Sequence, residues 1–200
     1  MNAPASRQRR KVEERREQLL DVALELFTRR TYEALSIDEI AQAAGISKGL
    51  LSHYFPSKRA FYVAAVGKAA DHLLEATDLP RADPHGVPTI TELREGMDAY
   101  LAYVEARGAS YQFLLRGGMG GDTEVRGILE RTRARFAERI EHGLGDAIEP
   151  KVRIAVRGWV GFVEAASLEW IEQKHVEREA LAAFLVDAFL AVLRASGAIP

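Results

Sequence analysis

Apolar residues recur along this chain at three- and four-residue spacing, and alternating β-branched runs are missing, so the pattern predicts an all-α protein. Val12, Leu19, Leu20, Ala23, Leu26 and Phe27 form a stripe on a first helix, roughly 10–30. Ile37, Ile40, Ala41 and Ala44 mark a second, opened by the capping-box pattern Ser36-x-x-Glu39 and closed by Gly45. Ser47 can cap a third helix that stops before Pro56, because the residue ahead of a proline disfavours helical geometry. Ser57 can cap a fourth, running to about Thr77 through Phe61, Val63, Ala64, Leu73 and Leu74. Thr89-x-x-Glu92 opens a fifth to about Arg107, and a short sixth covers 110–116. A seventh spans about 123–142, an eighth starts at Pro150 and reaches about His175, and a ninth covers about 177–195 before Gly197. Nine helices are expected.

Proline placement divides the chain. Pro80, Pro84 and Pro88 follow one another in DLPRADPHGVP, which reads as a linker. The expected organisation is a basic arm with a compact helical region over 1–56, a connecting helix over 57–77, and a helical body over 78–200.

Charge sharpens this division. Residues 1–60 carry a net +3 and residues 61–200 a net −5, with Arg7, Arg9, Arg10 and Lys11 at the start unmatched by any acid. That asymmetry fits a polyanion partner for the N-terminal part, or a solubilising tail. The longest run without a charged residue is Gly49 to Ser57, so no membrane span is expected. The basic start has no apolar stretch behind it and does not read as a secretory signal. The absence of cysteine excludes disulfides, thiolate zinc sites and a cysteine nucleophile, and fits a cytoplasmic location. The five histidines are scattered with no ligand spacing, and neither a metal nor a cofactor is expected.

The segment SIDEIAQAAGISKGLLSHYFPSK, Ser36 to Lys58, carries the function. Ala41 lets two helices approach, Gly45 turns the chain, and Ile46 with Leu51 makes a small core between them. The second helix then offers Lys48, Gly49, Ser52 and His53 outward, as a helix entering the major groove must. An ordinary helical hairpin has the same skeleton. The match Gly45-x-Ser47-x-Gly49 to a hydrolase nucleophile elbow fails because a helix, and no strand, precedes it.

From about Lys11 to Leu74 the chain resembles the DNA-binding domain of the TetR family of bacterial regulators, most specifically in GISKGLLSHYFPSK after IAQAA and before KRAFY. The resemblance implies an all-α homodimer with an N-terminal helix-turn-helix joined by a long fourth helix to a C-terminal domain for effector binding and dimerisation. It further implies a phosphate contact at Ser36, base reading at Lys48 and Gly49, and phosphate contacts at Tyr54 and Lys58, with Ser47 opening the reading helix. Leu50 and Ser52 stand where the family often has Thr and Tyr, which bears on the operator sequence; Leu50 suits a thymine methyl, and His53 can supplement Ser52.

Aromatic residues are numerous in the second half. Tyr103, Phe113, Trp159 and Phe162 are the candidates for a largely apolar effector pocket, against the simpler reading of each as core. Glu164 or Glu169 is a polar anchor or a surface residue. Small residues Gly158, Gly161 and Ala165 on the eighth helix, with Phe184, Ala188 and Val192 on the ninth, suit a two-fold four-helix interface. The expected protein is a homodimeric repressor, released by a small molecule from a near-palindromic double-stranded DNA operator, with no membrane partner. A constitutive DNA-binding dimer and an enzyme with an appended DNA-binding domain are the alternatives; no nucleophile–base pair favours the latter.

Overall fold

The computed structural model describes residues 3–79, 88–116, 121–145 and 148–199. Most of the expected linker and of the GGMGG segment at 117–121 lies outside them. The described residues form nine α-helices and no strand: α1 (Ala3–Arg29), α2 (Ile37–Ala43), α3 (Lys48–Tyr54), α4 (Lys58–Ala76), α5 (Ile90–Ala106), α6 (Gly108–Arg116), α7 (Thr123–Leu144), α8 (Pro150–Gln173) and α9 (Arg178–Ser196). The helix α1 starts earlier than its apolar stripe, so the basic N-terminal segment from Ala3 onward continues the helix. The helix α8 ends two residues early. Lys174 there turns left-handed (φ 48°), and the Trp170 indole N–H donates to the carbonyl of Val176 at 2.7 Å.

Local chemistry sets these ends. Ser36 and Thr89 each close a full capping box with the glutamate three residues on. Ser57 accepts from the backbone N–H of Ala60 at the start of α4. Asp122 accepts from the N–H groups of Glu124 and Val125 at the start of α7.

Two compact units result. One comprises the chain up to Ala70 together with Ala109–Ile128; the other comprises Asp71–Gly108 with Leu129–Pro200. The helices α4 and α7 run through both.

The first unit is built on α1 and α4. Leu19, Leu20, Ala23 and Phe27 of α1 are buried, as are Phe61, Tyr62, Ala65, Val66 and Ala69 of α4. Lys68, almost wholly buried, donates to Glu17 and Asp21 of α1 at 3.0 and 2.7 Å. Burial opposes its charge, but the two carboxylates outweigh it and raise its pKa. Arg59 grips Asp122 through Nε and Nη2, at 2.6 and 2.9 Å.

In the second unit α9 packs against α5 and α8. Its core joins Ala137, Val152, Val156, Phe189 and Leu193, with Leu93, Ile140 and Trp159 packed at the margin. The arginine-rich α7 divides by face. Arg126, Arg131 and Arg135 are exposed. Arg133 turns inward to Glu164, and Arg139 to the carbonyl of Leu74.

Two outcomes follow from these charges. Glu39 is held down to about 2 by the backbone N–H of Ser36, then by Arg30 and the Ser36 hydroxyl. Its folded pKa lies below the ordinary 4.5, so its stabilising charge is present above that pH and lost as pH falls towards 2. The melting-temperature gap between wild type and Glu39→Gln should therefore close through that window in circular dichroism; a pH-independent gap would show that the charge does not hold the cap. Glu164 is only 17 % exposed, and Arg133→Met strands it. A loss of about 2 kcal/mol is expected in urea unfolding, below the roughly 3–5 of a fully buried pair because both groups retain some solvent. An unchanged midpoint would show that water replaces the arginine.

Candidate nucleic-acid interface

Gly45, at φ +63°, lets the chain reverse after α2. The N–H of Ile46 reaches back to Ala41 and that of Gly45 to Gln42, both at 3.0 Å, which satisfies the last carbonyls of α2. Ser47 then starts α3 by accepting from Leu50 N–H at 3.2 Å. Along α3 only Leu51 is buried, beside Ile40 and Ala41 in the core of the first unit, while Phe55 closes the helix in contact with Phe61. Lys48, Gly49, Leu50, Ser52 and His53 are all exposed, with Leu50 at 41 %. A side chain at Gly49 would meet nothing within 4 Å, so its backbone fronts open space. Tyr54 is half-buried, with the His53 ring edge-on to it at 5.5 Å.

The cations of this face are engaged by the chain itself. Lys48 Nζ lies 3.0 Å from Asp38 on α2, in an exposed pair that water and salt weaken readily. The Ser36 hydroxyl and backbone N–H both donate to Glu39, whose other carboxylate oxygen receives Arg30 at 2.9 Å. Lys58 donates to the carbonyls of Tyr32 and Leu35, each at 2.7 Å, and its ammonium sits 4.1 Å from the Tyr32 ring centroid. Lys58 thus braces the turn before α2, with one N–H left for another acceptor. Asp38 and Arg30 shape this surface although the sequence pattern assigns them no role there. Their partners, Lys48 and Glu39, lie ten and nine residues away, across a turn, where no helical spacing betrays them.

The four aromatic candidates for an effector pocket occupy different surroundings. Phe113 belongs to the first unit, stacked on Phe27 (5.9 Å, 4°) and edge-on to Tyr62 (5.3 Å). Tyr103 is half-buried on α5, where burial raises its pKa and Arg107 opposes the rise. Trp159 packs on Phe189 at 4.5 Å and donates to the carbonyl of Leu185. Phe162, expected in the pocket, is 40 % exposed and faces Phe184 at 6.0 Å. It lies with Gly158, Gly161 and Ala165 on the outward side of α8, and Phe184 of α9 is 56 % exposed. Ala188 and Val192 are half-buried. Glu169 is exposed, whereas Glu164 is the partner of Arg133. Among the described residues no three His, Asp or Glu side chains gather as a metal site, and no helix is long and apolar enough to cross a membrane.

Comparison with known proteins agrees with this architecture. Residues 19–65 match the family described as bacterial regulatory proteins, tetR family, and residues 90–192 match the tetracyclin repressor-like C-terminal domain. A solved TetR-family transcriptional regulator from Streptomyces coelicolor is 36 % identical, with 93 % of this chain and 83 % of that one covered and a TM-score of 0.80. The transcriptional activator FasR of Mycolicibacterium smegmatis is 33 % identical over 117 residues, 56 % of this chain; the match spans about half (51 %) of that relative. The regulator RutR of Escherichia coli K12 is 26 % identical over 149 residues, 71 % of this chain and 69 % of RutR. With its helix-turn-helix, its helical C-terminal half and these matches, the chain belongs to the TetR family of DNA-binding transcriptional regulators, which are not enzymes.

Proposed function

We propose that this protein is a homodimeric repressor that leaves its operator when a small, largely apolar effector binds its second unit. The observation that carries the reading is α3, a helix with one buried anchor and five exposed residues on its outer side. Its shape comes from the chain's own caps and core, so an effector has DNA binding to remove rather than to build. Lys48 donates to a guanine edge, Gly49 brings the backbone close, and Leu50 meets a thymine methyl, with Ser52 and His53 alongside. Ser36, Ser47, Tyr54 and the remaining N–H of Lys58 face phosphates and set the register.

The dimer forms through the outward faces of α8 and α9. Ile154, Phe162 and Phe184 are 74, 40 and 56 % exposed, beside Gly158, Gly161 and Ala165. Such an apolar strip, lined by small residues, suits a second copy of the same pair of helices. To engage one face of B-DNA at a near-palindromic site, the two α3 helices of such a dimer must sit about 34–36 Å apart, or a multiple. The effector enters the interior of the second unit near Tyr103 and Trp159. The interior of that unit also holds a polar group for a ligand: the Ser167 hydroxyl continues the buried stripe of Val152, Val156, Val160 and Val163 on α8, without a hydrogen-bond partner among the described residues. A coupling of roughly 1–3 kcal/mol weakens DNA binding about 5–150-fold. The protein acts in the cytoplasm, with its DNA. Activation is the second reading, favoured by the likeness to FasR.

Footprinting on the chromosomal region around its own coding sequence, combined with transcript levels in a deletion strain, tests the reading. Repression requires a protected site whose transcript rises on deletion; a fall supports activation, and no protected site removes both. Lys48→Ala should change base preference at one position per half-site by about tenfold. Lys58→Ala should weaken binding to all sequences, lower the salt slope by about one for each phosphate it no longer neutralises, and also lower the melting temperature. A lower melting temperature with an unchanged salt slope would leave Lys58 a brace alone. Phe184→Glu should give monomers in sedimentation at micromolar concentration, and a persistent dimer would place the interface elsewhere.

A further inference from the structure

The two acids in the first turn of α2 are used differently. Glu39 serves its own helix end, where it accepts from Ser36 and Arg30. Asp38 takes no part in that cap, which Ser36 and Glu39 complete between them. Its side chain is 68 % exposed, and its carboxylate has one partner among the described residues, Lys48 Nζ at 3.0 Å. A carboxylate beside the reading helix opposes every duplex, because DNA carries one negative charge about every 1.7 Å along its axis. A neutral residue at position 38 would bind DNA of any sequence more tightly.

What the acid does for Lys48 follows from counting donors. An ammonium has three N–H groups; Asp38 takes one, and no other group among the described residues takes the remaining two. Guanine offers two acceptors in the major groove, O6 and N7, so Lys48 can meet it without leaving Asp38. Adenine places an amino group where O6 would be, and one N–H then loses its acceptor. A lysine alone is a flexible point charge that accepts any phosphate. Paired with Asp38 it is close to neutral, yet keeps its two directed donors. Water weakens such a pair in the free protein, and displacement of water from the groove strengthens it at the DNA surface.

We propose that Asp38 is a specificity-determining residue: it cancels the charge of Lys48 against phosphates, leaves two donors for a guanine, and so weakens binding to random DNA more than binding to operator. This rests on the reading of α3 as the helix that enters the groove. The test uses the full chain with two duplexes, one selected by the wild type from a random library and one with the same bases shuffled. Affinity for each is followed by fluorescence anisotropy between about 50 and 200 mM salt. Asp38→Asn keeps the shape and removes the charge. It should tighten the shuffled duplex about fivefold and steepen its salt slope by about one per protomer, as Lys48 turns to a phosphate. Affinity for the selected duplex should change by less than about twofold, so the ratio between the two falls. Most of the gain should vanish when Asp38→Asn is combined with Lys48→Met. Glu138→Gln, the same charge change at an exposed position of α7, should move neither slope. Circular dichroism checks that each variant is folded. An unchanged ratio in Asp38→Asn with a lower melting temperature would make Asp38 a charge that only favours the start of α2, and would overturn the proposal. So would a gain that Glu138→Gln reproduces, or one that survives in full without Lys48. If Lys48→Met alters base preference while Asp38→Asn leaves the ratio unchanged, this proposal falls and the DNA reading stands. If the wild type selects no duplex, both fall.

Discussion

A seven-residue helix is well below the roughly 12–15 residues at which even good helix formers persist alone, so α3 exists only because something else holds it. Two features do so. Gly45 takes a left-handed backbone that lets α2 end and α3 begin within four residues, and Leu51 is wholly buried beside Ile40 and Ala41. A larger residue than alanine at position 41 would push the helices apart, and a β-branched residue at 45 would resist the turn. Every exposed group on α3 owes its direction to that one buried anchor. The reading surface is the outside of a very small core.

The charges around this core are arranged for structure first. Asp38 holds Lys48, Glu39 holds both Ser36 and Arg30, and two backbone carbonyls hold Lys58. A DNA phosphate or base edge must therefore compete with contacts the chain already makes. For the exposed Lys48–Asp38 pair that competition is weak, because such pairs contribute little in water. For Lys58 it is not, because its partners are part-buried carbonyls and an aromatic face. The two lysines consequently sit on opposite sides of a division that charge alone conceals: one is held only by an exposed ion pair, the other is committed to the turn that positions α2.

What was legible in the sequence was local. Ser36 and Glu39, Thr89 and Glu92, Pro150, Gly45 and Gly197 act within one helical turn of themselves, and the helices end where those residues dictate. The outward set on α3 follows from the same short-range periodicity. What was not legible depends on pairs far apart in the chain. Arg59 and Asp122 are 63 residues apart, and their pairing, with Phe113 on Phe27, draws α6 and the start of α7 into the first unit. On α7, Arg126, Arg131 and Arg135 face solvent, whereas Arg133 and Arg139 take partners on α8 and α4. Aromatic character does not say which side of a helix meets the core, and Phe162 is 40 % exposed in the protomer.

The helix α8 shows how that side is decided. Val152, Val156, Val160, Val163 and Ser167 recur at three- and four-residue spacing and are buried. Ile154, Gly158, Gly161 and Ala165 recur likewise, with Phe162 beside Gly161, on a stripe displaced by about two residues, and the structure leaves them outside. Both stripes are apolar, so hydrophobicity could not choose between them; shape could. Branched valines fill the space that α9 leaves, whereas two glycines and an alanine would leave voids there, and voids in a close-packed core are costly. Outside, the same small residues leave no void in the protomer, each glycine costing about 1 kcal/mol of helix propensity, and permit close approach by another helix. The valines therefore commit one face of α8 to its own chain, and the glycines leave the other suited to a second.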